Sequence, residues 1–153
     1  MGRWSREELE EAFQTYQETA LTAGVSGDWR SWADMFTVDA TYVEHHYGEF
    51  GGREAIYTWI QTTMEESINR EMRYFPIDWY TIDEDRGWII AKVWNRMTDP
   101  GDGSIHQEHN ITILRYAGDM KWSYEEDVYN PAHFGTMIKG WMKRKQEVEA
   151  KKS

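Results

Sequence analysis

Five groups able to hold or move a proton, Tyr42, Glu44, His45, His46 and Tyr47, fall within six residues of the chain. A second set, His106, Glu108, His109, Asn110 and Thr112, lies on a later β-rich run. A third closes the last such run as Glu126-Asp127-Val128-Tyr129-Asn130. Carboxylates, imidazoles and phenols are the side chains of general acid–base catalysis. They serve it when an apolar setting moves their proton affinity toward the working pH. Polar groups placed beside apolar elements cost free energy unless paired, so these sets are either rim residues or a site. Strand alternation puts Tyr42, Glu44 and His46 on one face, and likewise His106, Glu108, Asn110 and Thr112. His45-His46 and His106-x-x-His109 have the composition of a metal site. A three-residue spacing on a strand sends side chains to opposite faces, however, so no metal is expected.

The elements that must position these groups come in a helix-first, sheet-later order. Ser5 and Glu8 form a capping-box pattern, and Leu9, Phe13, Tyr16 and Ala20 recur at helical spacing behind it. A first helix is expected from about Arg6 to Ala23, ended by Gly24. Gly27-Asp28 starts a second, with Trp29, Trp32, Met35 and Phe36 on one face. A strand follows, with Asp39-Ala40-Thr41-Tyr42 at its opening and the run through Tyr47 along it. Gly51-Gly52 leads into a third helix with Ile56, Trp59, Ile60 and Met64 inward. Four β-rich runs come next, Met72–Ile82, Gly87–Thr98, His106–Ala117 and Lys121–Tyr129, joined by hairpin-like connections. Asn130-Pro131 stops the last strand and starts a C-terminal helix through about Glu147. Helices grouped before antiparallel strands give an α+β class with helices on one face of the sheet.

Composition narrows the partners. The net charge of −10 disfavours nucleic acid and anionic membrane, both of which need clustered Lys and Arg. Nine Trp, nine Tyr and five Phe give large apolar bodies with polar tips, suited to a core around a cavity. Cysteine is absent, which removes disulfides and thiolate chemistry. No secretory signal is apparent near the N-terminus and no apolar run nears the ~20 residues of a membrane span, so a soluble cytoplasmic protein is expected. Trp79, Trp88, Trp94 and Trp122 serve sheet packing and could cover an exposed sheet face; an apolar outer face makes a homodimer through the sheet the natural expectation.

Three pieces in order, the helix ending before Asp39-Ala40, the helix start Gly52-Arg53-Glu54-Ala55-Ile56, and the ending Tyr129-Asn130-Pro131-Ala132, resemble the SnoaL-like polyketide cyclases of the nuclear transport factor two-like superfamily. The resemblance runs from about Leu9 to Trp141 and implies one domain over residues 1–153, with a core at about 6–141 and a helical tail. The implied fold is a cone-shaped barrel: a strongly bent, mostly antiparallel sheet wrapped around the N-terminal helices, plus the extra C-terminal helix. In that cup Glu44 faces inward and His46 lies nearer the mouth.

Three branches of the superfamily imply different roles. Similarity to ketosteroid isomerase makes Glu44, three residues past Thr41, the base. Its oxyanion tyrosine position falls on Ala20, one turn after Tyr16, and its acidic partner position on about Thr112. Similarity to limonene epoxide hydrolase implies Arg96, Asp127 and Tyr42, with Glu44 at an Asn position and Thr98 where the first Asp stands. The cyclases themselves use a pocket Asp or His, for which His45, His46, His106, His109 and Asn110 are available. Together these imply Glu44, Asp127, Arg96 and Tyr42 as catalytic and Tyr16, His46, Trp59, Trp94, His106, Asn110 and Thr112 as substrate-binding. The implied activity is cofactor-independent acid–base chemistry (isomerase, cyclase, dehydratase or hydrolase) on a mostly apolar polyketide-, terpenoid- or steroid-like molecule. The alternative is a binding or interaction module of the same fold.

Overall fold

The computed structural model describes residues 2–153. Among them stand four α-helices and seven strands in the order α1 (Arg6–Ser26), α2 (Arg30–Ala33), β1 (Phe36–Glu44), β2 (Gly48–Gly51), α3 (Arg53–Glu65), β3 (Met72–Tyr74), β4 (Ile77–Asp83), β5 (Trp88–Met97), β6 (Gln107–Gly118), β7 (Lys121–Val128) and α4 (Pro131–Ala150). Neighbouring strands run β2-β1-β7-β6-β5-β3, with β4 also on β5. Every pairing is antiparallel except β1 on β7. The class is therefore α+β with a mixed, mostly antiparallel sheet. The sheet bends around the helices but does not close: β2 and the β3–β4 edge remain apart in the strand order. No helix among the described residues is long and apolar enough to cross a membrane.

Local chemistry explains the helix ends. Ser5 accepts the Glu8 N–H at 3.1 Å and Glu7 and Glu8 sit in the first turn, where the helix dipole favours acids. The helix passes through Gly24, contrary to expectation, and ends at Gly27 in the left-handed region (φ 82°). Gly24 has another task. A Cβ there would lie 2.2 Å from the Arg73 carbonyl oxygen, so its bare backbone lets α1 press against β3. Asn130 caps α4 by accepting the Ala132 N–H at 3.0 Å, with Pro131 in the first turn.

The run expected as one strand over Met72–Ile82 is two. Phe75-Pro76 separates β3 from β4, since Pro76 has no N–H for the ladder, although its carbonyl accepts from Trp94 N–H at 2.8 Å. β1 begins earlier than expected, at Phe36, and stops at Glu44. His45, His46 and Tyr47 form the turn into β2, a strand too short to leave a periodic pattern.

The core fills the space between helices and concave face. Phe13, Phe36, Tyr116 and Trp122 are its largest fully buried members. Trp122 therefore belongs to the core and not to an exposed sheet face: a register shift near Tyr116 turns it inward, edge-on to Tyr16 and Tyr116. A satellite cluster of Met97, Met137 and Trp141 holds α4 to the sheet end, and the Trp141 indole N–H donates to the Thr98 carbonyl at 2.7 Å.

Candidate functional site

A cavity of about 390 Å³ opens between the concave sheet face and α1, α2, α3 and the start of α4. Its apolar walls come from helix residues such as Trp29, Trp32, Trp59 and Met64 and from Phe134 and Ile138 of α4. Its polar end is built on β1, β7 and β6. The parallel β1–β7 register sets Tyr42 opposite Glu125 and Glu44 opposite Asp127, and the β7–β6 register sets Asp127 opposite Thr112. Period-two alternation then delivers all five side chains to the concave face.

Four of them, Tyr42, Glu125, Asp127 and Thr112, join Tyr16, Asn110 and Asn95 in one hydrogen-bonded chain. The Tyr16 hydroxyl donates to Glu125 Oε1 at 2.7 Å. The Tyr42 hydroxyl sits 2.6 Å from Glu125 Oε2 and is also hydrogen-bonded to Asp127 Oδ2. On the far side Thr112 donates to Asp127 Oδ1 at 2.8 Å, Asn110 donates to Thr112 at 2.7 Å, and Asn95 donates to Asn110 Oδ1 at 2.6 Å. A phenol has one hydrogen, so Tyr42 cannot donate to two carboxylates at once. Two arrangements satisfy every contact: Glu125 protonated and donating to Tyr42 while Tyr42 donates to an ionised Asp127, or the reverse, with Asp127 protonated and Tyr42 donating to Glu125.

Electrostatics favour the first of the two. Glu125 is 2% exposed. Burial, reinforced by the neighbouring Asp127 charge, pushes its carboxyl well above the usual range. Burial also raises Asp127, but hydrogen bonds with Glu125, Tyr42 and Thr112 work against the rise. Tyr16 and Tyr42 are raised well above ordinary phenols, first by burial and then by the adjacent carboxylates, so both stay neutral donors. Glu44, 7% exposed, stands apart from this chain. It accepts the Tyr129 hydroxyl at 2.6 Å and the turn's His46 and Tyr47 N–H groups at 2.7 and 3.3 Å.

The cavity thus gathers Tyr42, Glu44, Asp127, Tyr16, Trp59, Asn110 and Thr112. His46 lines its mouth and is exposed. Three expected residues stay outside. β5 points Ala91, Val93 and Asn95 toward the helices, which turns Trp94 and Arg96 to the convex face. There Arg96 donates to Gln107 at 2.9 Å, and Trp94 lies edge-on to His109 beneath Lys92. His106 borders a separate shallow groove with Glu108 and His133. His45 pairs outward with Glu126 at 2.6 Å. Thr98 donates to Glu71 at 2.6 Å, away from the cavity. Of the two positions borrowed from ketosteroid isomerase, Ala20 and Thr112 both line the cavity; Tyr16, one turn before Ala20, supplies the phenol.

Sequence reasoning missed Glu125, Tyr129 and Asn95. Glu125 was within reach: it stands two residues before Asp127 and shares its face. Asn95 follows from the phase of β5, which the flanking apolar residues Ala91 and Val93 could have fixed. Tyr129 lies just past the strand end, where alternation no longer places a side chain. No group of three or more His, Asp or Glu that could hold a metal ion exists among the described residues.

No family model and no curated protein matches the chain. Solved structures do match its shape. A nuclear transport factor two-like protein from Anabaena variabilis superposes with a TM-score of 0.63 at 15% identity, over 85% of this chain and 95% of its own. The chain has the nuclear transport factor two-like fold. The epoxide hydrolase/cyclase-like enzyme SalBIII, which acts in pyran ring formation in the polyether salinomycin, matches with a TM-score of 0.62 at 14% identity, over 84% and 95% of the two chains. A Catenulispora acidiphila protein with a ketosteroid isomerase-like fold, in complex with trimethylamine, matches at 0.57 and 18% identity over 75% and 85%. At these identities the likeness establishes the fold, and within it chemistry has to be argued from the cavity itself.

Proposed function

We propose that the protein is a small-molecule enzyme performing cofactor-independent proton transfer, with Asp127 as the group that takes and returns the proton. The observation that carries this reading is the Tyr42 hydroxyl between two carboxyl groups, one of which must be protonated. An acid and a base held side by side in an apolar cavity are the parts an isomerisation, cyclisation or dehydration needs. Asp127 lines the cavity and would meet the substrate. Glu125, behind Tyr42, holds the adjacent proton and sets the proton affinity of Asp127. Glu44 and Tyr129 would orient the substrate's polar group. Arg96 has no part in this proposal, because it faces away from the cavity. A mostly apolar molecule with one polar end fits the division between aromatic walls and carboxyl end. The cyclase SalBIII and the trimethylamine complex are relatives in shape whose chemistry and ligand support a cavity of this use.

Proton exchange tests this without knowledge of the product. A panel of ketones, imines and epoxides is incubated with the protein in deuterated water, and C–H exchange or ring opening is followed by proton NMR. The expected result is catalysed exchange or opening of at least one class, reduced ~100-fold or more by Asp127→Asn. Binding without any exchange, unchanged in Asp127→Asn, would overturn the enzyme reading in favour of a ligand-binding module. The proposed assembly is a homodimer through the convex sheet face, where Trp79 is 47% exposed.

A further inference from the structure

The lining of the cavity holds carboxyl groups but no lysine or arginine. Glu44 and Asp127 stand on adjacent strands at one register level, on the same face. Neighbouring strands are ~4.8 Å apart, so two carboxylates share a weakly screened space. Their partners are all neutral donors: Tyr129 and two backbone N–H groups for Glu44, Tyr42 and Thr112 for Asp127. Hydrogen bonds of that kind spread a negative charge without cancelling it. The single imidazole of the lining, His46, sits at the exposed mouth, with its backbone and not its ring toward Glu44.

The walls add to the same field. Tyr42, Tyr47, Trp59, Tyr129 and Phe134 surround this end of the cavity, and aromatic rings present negative faces. Trp59 lies 4.9 Å from Tyr42 and 6.0 Å from Tyr47 between ring centroids, and Tyr129 lies 4.8 Å from Phe134. Carboxylates backed by aromatic rings in a desolvated pocket attract organic cations through charge and cation–π contact together. A carboxylate or phosphate ligand would meet repulsion there and no compensating donor of positive charge.

We propose that the ligand of this cavity carries a positively charged nitrogen, as a protonated amine, protonated imine or quaternary ammonium on an apolar body, seated between Glu44 and Asp127. The inference rests on the cavity reading above and names its substrate class. It also fits a lining without Lys or Arg whose phenols are already engaged with carboxyl groups. A base that removes a proton beside a carbonyl needs a cation or oxyanion donor to receive the electron pair. A carbon acid next to a protonated imine brings its own acceptor: the C–H pair becomes the C=C bond, the C=N pair returns to nitrogen, and the proton rests on Asp127.

Three probes of one shape and different charge test the proposal: 1-adamantylammonium, 1-adamantanol and 1-adamantanecarboxylate, titrated by calorimetry into the wild-type protein and into Glu44→Gln. The expected order is ammonium, alcohol, carboxylate, with the ammonium at least ~10-fold tighter than the alcohol. Glu44→Gln should shrink that ratio by weakening the ammonium more than the alcohol, since glutamine keeps the shape but removes the negative charge. Equal or tighter binding of the alcohol or carboxylate overturns the cationic ligand and leaves the cavity and its proton chemistry standing. Failure of all three to bind, with the thermal unfolding midpoint unchanged by each, overturns the inference; proton-exchange activity in deuterated water then decides separately whether the enzyme reading falls too.

Discussion

Glu125 is the residue whose chemistry most constrains the site, and its protonation has a measurable signature in stability. Its folded-state proton affinity is raised by burial and by Asp127, so the native chain keeps a proton that the unfolded chain loses above ~4.3. Over that window the folded state binds more protons than the unfolded one. Stability contributed by this group therefore falls as pH rises, with a slope of up to ~1.4 kcal/mol per pH unit. Glutamine at this position reproduces the protonated acid, with Oε1 accepting from Tyr16 and an amide N–H donating to Tyr42. Glu125→Gln should match wild type near the unfolded carboxyl's range of ~4.3 and become more stable by comparison as pH rises above it, read from thermal unfolding midpoints across pH. Parallel curves for the two proteins would show that Glu125 is ionised in the fold and would move the shared proton to Asp127. The residue level was partly legible in sequence. Alternation groups Tyr42 with Glu44 and Asn110 with Thr112 on shared faces, while the inward direction of Glu44 and the place of Asp127 come from the resemblance. Arg96 is drawn into the site by the resemblance to limonene epoxide hydrolase, although buried Ala91 and Val93 fix the phase of β5 that turns it outward.

Elements were easier to read than their ends. Helix one, helix three, the hairpin strands and the Pro131 helix start all follow from periodicity and capping. The break at Pro76 and the passage of α1 through Gly24 depend on what lies across the gap, which no local pattern reports. Gly24 gives a decisive case. In an exposed helix, alanine in place of glycine gains up to ~1 kcal/mol from backbone entropy. Here the added Cβ would come within 2.2 Å of the Arg73 carbonyl oxygen, a backbone atom that cannot rotate away. Overpacking of this kind costs ~1–3 kcal/mol or more, so it outweighs the propensity gain. Gly24→Ala should therefore lower stability, measured by urea denaturation with an unchanged m-value. It should also loosen β3 and the neighbouring cavity wall at Met72 and Phe75, seen as faster amide exchange there. A stabilised Gly24→Ala would mean that the contact between α1 and β3 is slack.

At the scale of the whole molecule, the convex face of the open sheet is where the proposed dimer would form. Trp79, Ile90 and Val128 stay exposed on it, with Trp88 flanked by Arg115 and Trp94 by Lys92. Ile90 lies on β5, one strand in from the β3–β4 edge, opposite Thr81 on β4 and Ile113 on β6, so a two-fold partner packing there would bury it. Charge opposes the pairing: each chain carries a net −10. Two copies held by apolar contact against that repulsion should associate more tightly as salt screens it. A dimer held by rim ion pairs, such as those available to Lys92, Arg96 and Asp78, would loosen instead. Sedimentation velocity at ionic strengths of ~0.05 and ~0.5 M separates the two, with a lower dissociation constant expected at the higher salt. Ile90→Lys should produce monomers at both salts, since it puts a charge within the contact, while probe affinity in the cavity stays the same because Ile90 faces away from it. A wild-type protein that sediments as a monomer at every concentration would leave the convex face to solvent. The cavity would then have to do its work within a single chain, which its lining, drawn from one chain's helices and strands, permits.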